Sequence, residues 1–313
     1  MAETYRESGR FGELTIPGIV GCAVVGAGLA WVYQRLVDWV PLIYVNFLLT
    51  LGFGIALGVL VAWVLKRVKN RNRTIMIVTV LATVLAADAA SFYWAYRNFL
   101  PKAYEELEAE ARREGGELVP YEEFKEKVTF DMWREARVES GWSVGHIGSS
   151  GAGKSALSGV FVYAIWLLEL GILLYLTFKA SSGAHGSPFC ETCDRWMDGE
   201  PLGPWRDVDS AALRKAARVG DDATLLQPKP AERPSGEHAN YVLHTCAGCK
   251  NGGVVEAAVS HVERDSKGKI SVVRDVLLTF SATSAQRDAL RAYEYPEPAE
   301  LRAEEPEGPL SAG

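Results

Sequence analysis

The chain has 313 residues, enough for two soluble domains or for one domain joined to a membrane unit. Its formal net charge of −6 speaks against a general nucleic-acid binder. With 48% hydrophobic and 23% charged residues the bulk composition is nearly globular, but that average hides four apolar runs.

The first run, Ile16 to Tyr33, has 18 residues and no charge, and the second, Trp39 to Leu65, has 27 and none. The third extends from Thr74 to about Tyr96, interrupted only by Asp88, and the fourth from Ala156 to Phe178, interrupted only by Glu169. A spanning helix needs about 20 mostly apolar residues, so the pattern predicts transmembrane helices near 16–35, 42–65, 74–95 and 156–179. Read as buried core helices, these runs would leave too little polar surface to cover them. The first run is long for the core of a cleaved signal peptide, and acidic Glu3, Glu7 and Glu13 flank it, so an uncleaved helix is expected.

Orientation rests on the loop KRVKNRNR, residues 66–73, with five positive charges in eight residues. Such a loop stays in the cytoplasm. That places a multi-pass protein in the inner (plasma) membrane with cytoplasmic N- and C-termini, and puts residues 99–155 outside. This outer segment holds two charged helical stretches, 101–117 and 120–137, read as a solvated hairpin. Phe124, Val128, Met132 and Trp133 would share one face of the second.

At its end, Gly148, Gly153, Lys154 and Ser155 spell G-x-x-x-x-G-K-S, the loop that wraps nucleotide phosphates. The context argues against that chemistry. No apolar strand precedes it, the helix it would open is the fourth span, and it faces away from the cytoplasmic nucleotide pool. Gly and Ser before a span let the chain turn, and Lys154 suits a headgroup contact.

Small residues recur every fourth position in the first two spans: Gly18, Cys22, Gly26 and Ala30, then Gly54, Gly58 and Ala62. Such stripes let helices approach closely, within the chain or between subunits. Asp88 and Glu169 are more informative, because a carboxylate at membrane depth must be protonated, paired or wet. The plainest expectation is a neutral Glu169 hydrogen-bonded to a Ser, Thr or Tyr of another helix, with Arg35 the nearest cation in depth. The functional one is a proton or cation pathway in an oligomer.

Beyond the fourth span, Cys190 and Cys193 form one C-x-x-C pair and Cys246 and Cys249 another. Two such knuckles make a tetrahedral thiolate site, the arrangement of structural zinc. An iron centre or redox dithiols would use the same residues. The intervening 52 residues, with a short helix around 209–220 and a Pro-rich stretch, read as an insertion. VVEAAVSHV and ISVVRDVLLTF around the polar turn RDSKGK predict an antiparallel hairpin. His244 lies beside the second knuckle, but four thiolates already close the shell. Between residues 181 and 290 there are 13 Lys or Arg against 15 Asp or Glu, no footprint for nucleic acid. Residues 291–313 form an acidic, Pro-rich tail without enough apolar material to fold alone.

The expected fold is therefore a membrane all-α unit of four transmembrane helices plus a small soluble α+β zinc-ribbon-like domain over residues 186–290. A closed metal site leaves no place for substrate, and no nucleophile–base pair stands at a workable spacing. The expected work is non-enzymatic: a scaffold that binds a protein partner, or itself as an oligomer, at the lipid bilayer. The competing expectation is a channel or proton-coupled transporter built on Asp88 and Glu169; nucleotide binding comes last.

Overall fold

The computed structural model describes residues 3–40, 43–115, 119–144, 155–183, 187–249, 252–264, 266 and 268–296. The chain forms two compact units, Gly9–Gly186 and Met1–Ser8 with Ser187–Gly313. A two-residue strand, β1 (Glu3–Thr4), comes first and belongs to the second unit.

The first unit is a membrane bundle. Four of its helices are long and apolar enough to span: α1 (Thr15–Trp39), α2 (Ile43–Arg67), α3 (Arg73–Glu114) and, after two shorter helices, α6 (Val160–Ser182). α1 lies chiefly against α3, and α2 against α6. The stripes of small residues make these contacts. A methyl group added to Gly26 would stand 3.1 Å from Thr83 of α3, one on Gly54 3.1 Å from Leu176, and one on Gly58 2.5 Å from the Ala180 methyl of α6. Leu57, Val61 and Leu65 then close on Met76, Val80, Val84 and Ala87. The stripes thus serve packing inside the chain.

The basic loop is tied down by the backbone rather than splayed. Asn72 caps α3 by accepting from the amides of Thr74 and Ile75, its side chain donates to Gly9 O at 2.9 Å, and the Arg71 amide donates to Arg10 O at 3.0 Å. The 66–73 loop and the approach to α1 therefore share one end of the bundle.

Two expectations about residues 99–155 change. The third span and the charged stretch after it are one helix of 42 residues, about 63 Å long at 1.5 Å per residue and roughly twice the hydrocarbon core. Pro101 lies inside it. Proline leaves the Arg97 carbonyl without a donor, and at this exposed position water can serve it, so the helix continues. Gly115, in the left-handed conformation at φ 71°, closes it. The stretch predicted as one helix over 120–137 is instead α4 (Tyr121–Lys127) and α5 (Phe130–Ser140), separated by β-branched Val128 and Thr129. Thr129 caps α5 through the Met132 amide. This restart shifts the helical phase: Met132 is exposed, while Phe130 and buried Trp133 pack on Tyr96 of α3. A short hairpin, β2 (Trp142–Val144) with β3 (Ser155–Leu157), leads into α6.

The second unit is a soluble α+β domain. Its strands and helices are β4 (Phe189–Cys190), β5 (Arg195–Trp196), β6 (Asp198–Arg206), α7 (Ser210–Val219), α8 (Asp222–Leu226), β7 (Glu237–Thr245), β8 (Gly253–Arg264), β9 (Ile270–Ala282) and α9 (Ser284–Arg291). β4 and β5 pair with each other, and the remainder form an antiparallel sheet in the order β1-β9-β8-β7-β6. Alternate residues of the central strands (Ala239, Tyr241 and Leu243; Val255, Ala257 and Val259) point to one face. Leu213, Ala216, Leu225 and Leu290 of the three helices cover that face. Asp209 caps α7, and Thr283 with Gln286 forms a capping box on α9.

Three features depart from a simple ribbon with an insertion. The residues between the knuckles supply the edge strand β6 and two core helices, so they are structural members of the sheet. The domain also has a hydrophobic core of its own, so metal does not stand in for one. Finally, the N-terminus is part of it: Glu3 pairs with Ser281, Thr4 with Phe280, and the Tyr5 amide donates to Thr279 O at 2.9 Å.

Candidate metal centre

Both knuckles are turns between paired strands. Cys190 ends β4 and Cys193 sits in the turn to β5; Cys246 and Cys249 lie in the connection from β7 to β8. The Tyr5 hydroxyl accepts from the Phe189 amide at 3.1 Å, anchoring the first knuckle to the N-terminal strand. Phe189 and Trp196 pack edge to face across the β4–β5 pair.

The four sulfurs lie within 4.8 Å of one another, with Cys190 Sγ and Cys249 Sγ 3.5 Å apart. A tetrahedron with metal–sulfur bonds of about 2.3 Å has edges of about 3.8 Å, so the cluster has the spacing of a tetrathiolate site. Cys190 and Cys246 are buried, and Cys193 and Cys249 are partly so. The Gly248 amide donates to Cys246 Sγ at 3.4 Å. That bond brings the Cys246 thiol down to about 6, whereas burial pushes Cys193 up to about 12. A divalent ion would draw the sulfurs into the thiolate form. Gly248 also makes room: a methyl group there would stand 2.9 Å from Cys193 Sγ. Its role was missed in the sequence, although a Gly between the two cysteines of a knuckle is a usable signal.

Such a site is closed. Four sulfurs fill the tetrahedron and leave no position for water or substrate, which suits a structural ion. The cysteines lie outside the aliphatic and aromatic cluster that forms the core. His244, on β7 opposite Gly199, is buried with both ring nitrogens lacking a hydrogen-bond partner, and burial lowers its pKa. It is not among the four ligands.

The other residues singled out in the sequence fall elsewhere. Gly148, Gly153 and Lys154 lie outside the described residues. Ser155 lies in β3, paired with Val144, and α6 begins only at Val160. The string therefore does not open the fourth span, as the sequence suggests. A phosphate loop carries its Lys-Ser pair on the first turn of a helix, whereas the backbone at Ser155 is extended. Asp88 and Glu169 line one cavity of about 280 Å³ inside the bundle. The expected hydrogen bond from Glu169 to a neighbouring hydroxyl is not among the bonds of the described residues, and Arg35 stacks over Trp31 instead.

Compared with protein-family models, curated proteins and solved structures, the chain has no match in any of the three.

Proposed function

We infer that this multi-span membrane protein is a non-enzymatic coupling protein, whose bundle holds a zinc-stabilised domain at the cytoplasmic surface for contact with a protein partner. The observation that supports this reading best is an apolar stripe on the β8–β9 hairpin. Val262 and Val272 are cross-strand partners, 56% and 69% exposed, and Ile270 beside them is 59% exposed. Contiguous apolar surface of this kind marks interaction sites. Zinc is favoured over iron or redox chemistry because four thiolates in a closed shell supply rigidity and no open position. With an ion bound, the knuckles hold the two ends of the sheet's connections in fixed register.

A photo-reactive amino acid at Val272 of the full-length protein in native membranes tests the partner reading. One discrete protein adduct is expected, lost when Val262→Lys is added; labelling of lipid or solvent alone would remove it. Orientation has its own test. A reporter cysteine at Glu110, exposed near the end of α3, should react with an impermeant thiol reagent in intact cells and be shielded in inside-out vesicles. The reverse result would place the cysteine cluster outside the reducing compartment and reopen its assignment to zinc.

A further inference from the structure

The cavity inside the bundle holds chemistry that the coupling reading does not use. It lies between all four spanning helices, in the half of the membrane toward α5. Asp88 is 15 residues along α3, about 22 Å from its start, and Glu169 is nine residues into α6, about 14 Å from its start. Neither carboxylate has a hydrogen bond or ion pair among the described residues. At this depth an unpartnered carboxylate is costly. Asn46 lines the same cavity, with its amide oxygen buried and without a hydrogen-bond partner.

Aromatic rings form much of the remaining wall. Tyr33 stacks on Phe53 at 4.7 Å, and Phe92 meets Trp166 edge to face at 5.0 Å. Trp133 of α5, only 8% exposed, lines the outer end with Arg137. Rings and carboxylates around one space are the surroundings of an organic cation, which gains from both. A bare metal cation would need six or more oxygens. The hydroxyls here are already engaged: Tyr33 with Thr50, Thr50 with Asn46 O, and Ser91 with Asp88 O. The carboxylate oxygens alone fall short of six, so a metal ion would have to keep part of its water shell, whereas an alkylammonium uses the rings as well. With both ionised, the two carboxylates exceed the single lining guanidinium, Arg137, by one negative charge.

The geometry points to a binding site for a small alkylammonium monocation. Its N–H groups would donate to Asp88 and Glu169, and its carbons would lie against Trp133, Trp166 and Phe92. The volume suits a compact amine or the amine end of a lipid headgroup, which share this chemistry.

The test uses purified full-length protein and n-butylammonium, followed by calorimetry and tryptophan fluorescence, with 1-butanol as the neutral isostere. Saturable binding of the amine is expected, with none of the alcohol. Asp88→Asn and Glu169→Gln should each weaken it by about tenfold or more, the loss of one charge-assisted contact. Both changes preserve shape, and unchanged gel-filtration behaviour and zinc content would show that each variant is folded. No saturable amine binding, an equal response to butanol, unchanged affinity in both variants, or displacement by calcium or sodium at lower concentration would each overturn the assignment. Repeating the titration in nanodiscs identifies the source. Weaker apparent affinity in phosphatidylethanolamine than in phosphatidylcholine, equally zwitterionic but without N–H donors, supports a headgroup amine at this site; equal affinity supports a free one.

Discussion

Replacing Cys190 or Cys246 with serine is expected to take bound zinc from about one ion per chain to a small fraction of that, while the sheet of the soluble domain stays folded. The first half follows from the four sulfurs, all within 4.8 Å of one another; a hydroxyl is a poor replacement for a thiolate ligand. The second half follows from where the core lies. In a minimal zinc finger the metal contributes about 10–16 kcal/mol and the apo form is unfolded. Here Leu213, Leu225, Tyr241, Leu243, Val255, Val259, Phe280 and Leu290 are all essentially inaccessible and none depends on the knuckles for cover. Metal analysis should therefore be paired with amide hydrogen exchange. Protection should fall in β4, β5 and residues 246–249 and persist through β7, β8 and β9. Gly248→Ala belongs to the same series with a smaller effect. It keeps all four ligands but forces a methyl group to 2.9 Å from Cys193 Sγ, so affinity should drop without loss of stoichiometry. Metal retained in the serine variants would reject these ligands, and global loss of protection would show that the core needs the ion.

Gly58→Leu should be the most disruptive single change in the bundle. Even the first carbon of the new side chain would stand 2.5 Å from the Ala180 methyl and 3.2 Å from the Thr177 backbone. Backbone cannot turn aside as a side-chain tip can, so α6 must move outward as a unit. That movement breaks the buried bond from Thr177 Oγ1 to Gly54 O at 3.2 Å and uncovers Leu173. Overpacking usually costs about 1–3 kcal/mol, and the loss of a buried hydrogen bond adds about 1. Gly52, also on α2, has nothing within 4 Å of an added methyl group. Gly52→Leu is therefore the control and should leave the detergent unfolding midpoint nearly unchanged. Equal midpoints for the two variants would mean that Gly58 does not face α6.

Most of the outline was legible in the residues alone. Uncharged runs of 18 and 27 residues can be little other than membrane helices, because lipid offers backbone groups no partner outside the helix. Two C-x-x-C pairs likewise announce a common site, since each knuckle presents two sulfurs from one turn. What escaped are features decided by groups far away in sequence. Glu3–Thr4 is too short and too polar to register as a strand, and it becomes one only because β9 offers it a free edge. The third span and the charged stretch from residue 101 read as separate helices and are one, because α3 continues through Pro101.

The sequence by itself determined how many helices are long and apolar enough to cross the bilayer, which four cysteines are paired as knuckles, and that Asp88 and Glu169 interrupt apolar runs. These are properties of composition and local spacing, and hydrophobicity and ligand chemistry act residue by residue. Only the tertiary structure decided that the small-residue stripes are spent within the chain and that a hydrophobic core supports the knuckle domain. It also decided that Asp88, Glu169 and Asn46 meet in one aromatic-walled cavity. Those outcomes depend on which surfaces come within a few ångströms of each other, and close contact is set by the whole packing arrangement rather than by any one segment.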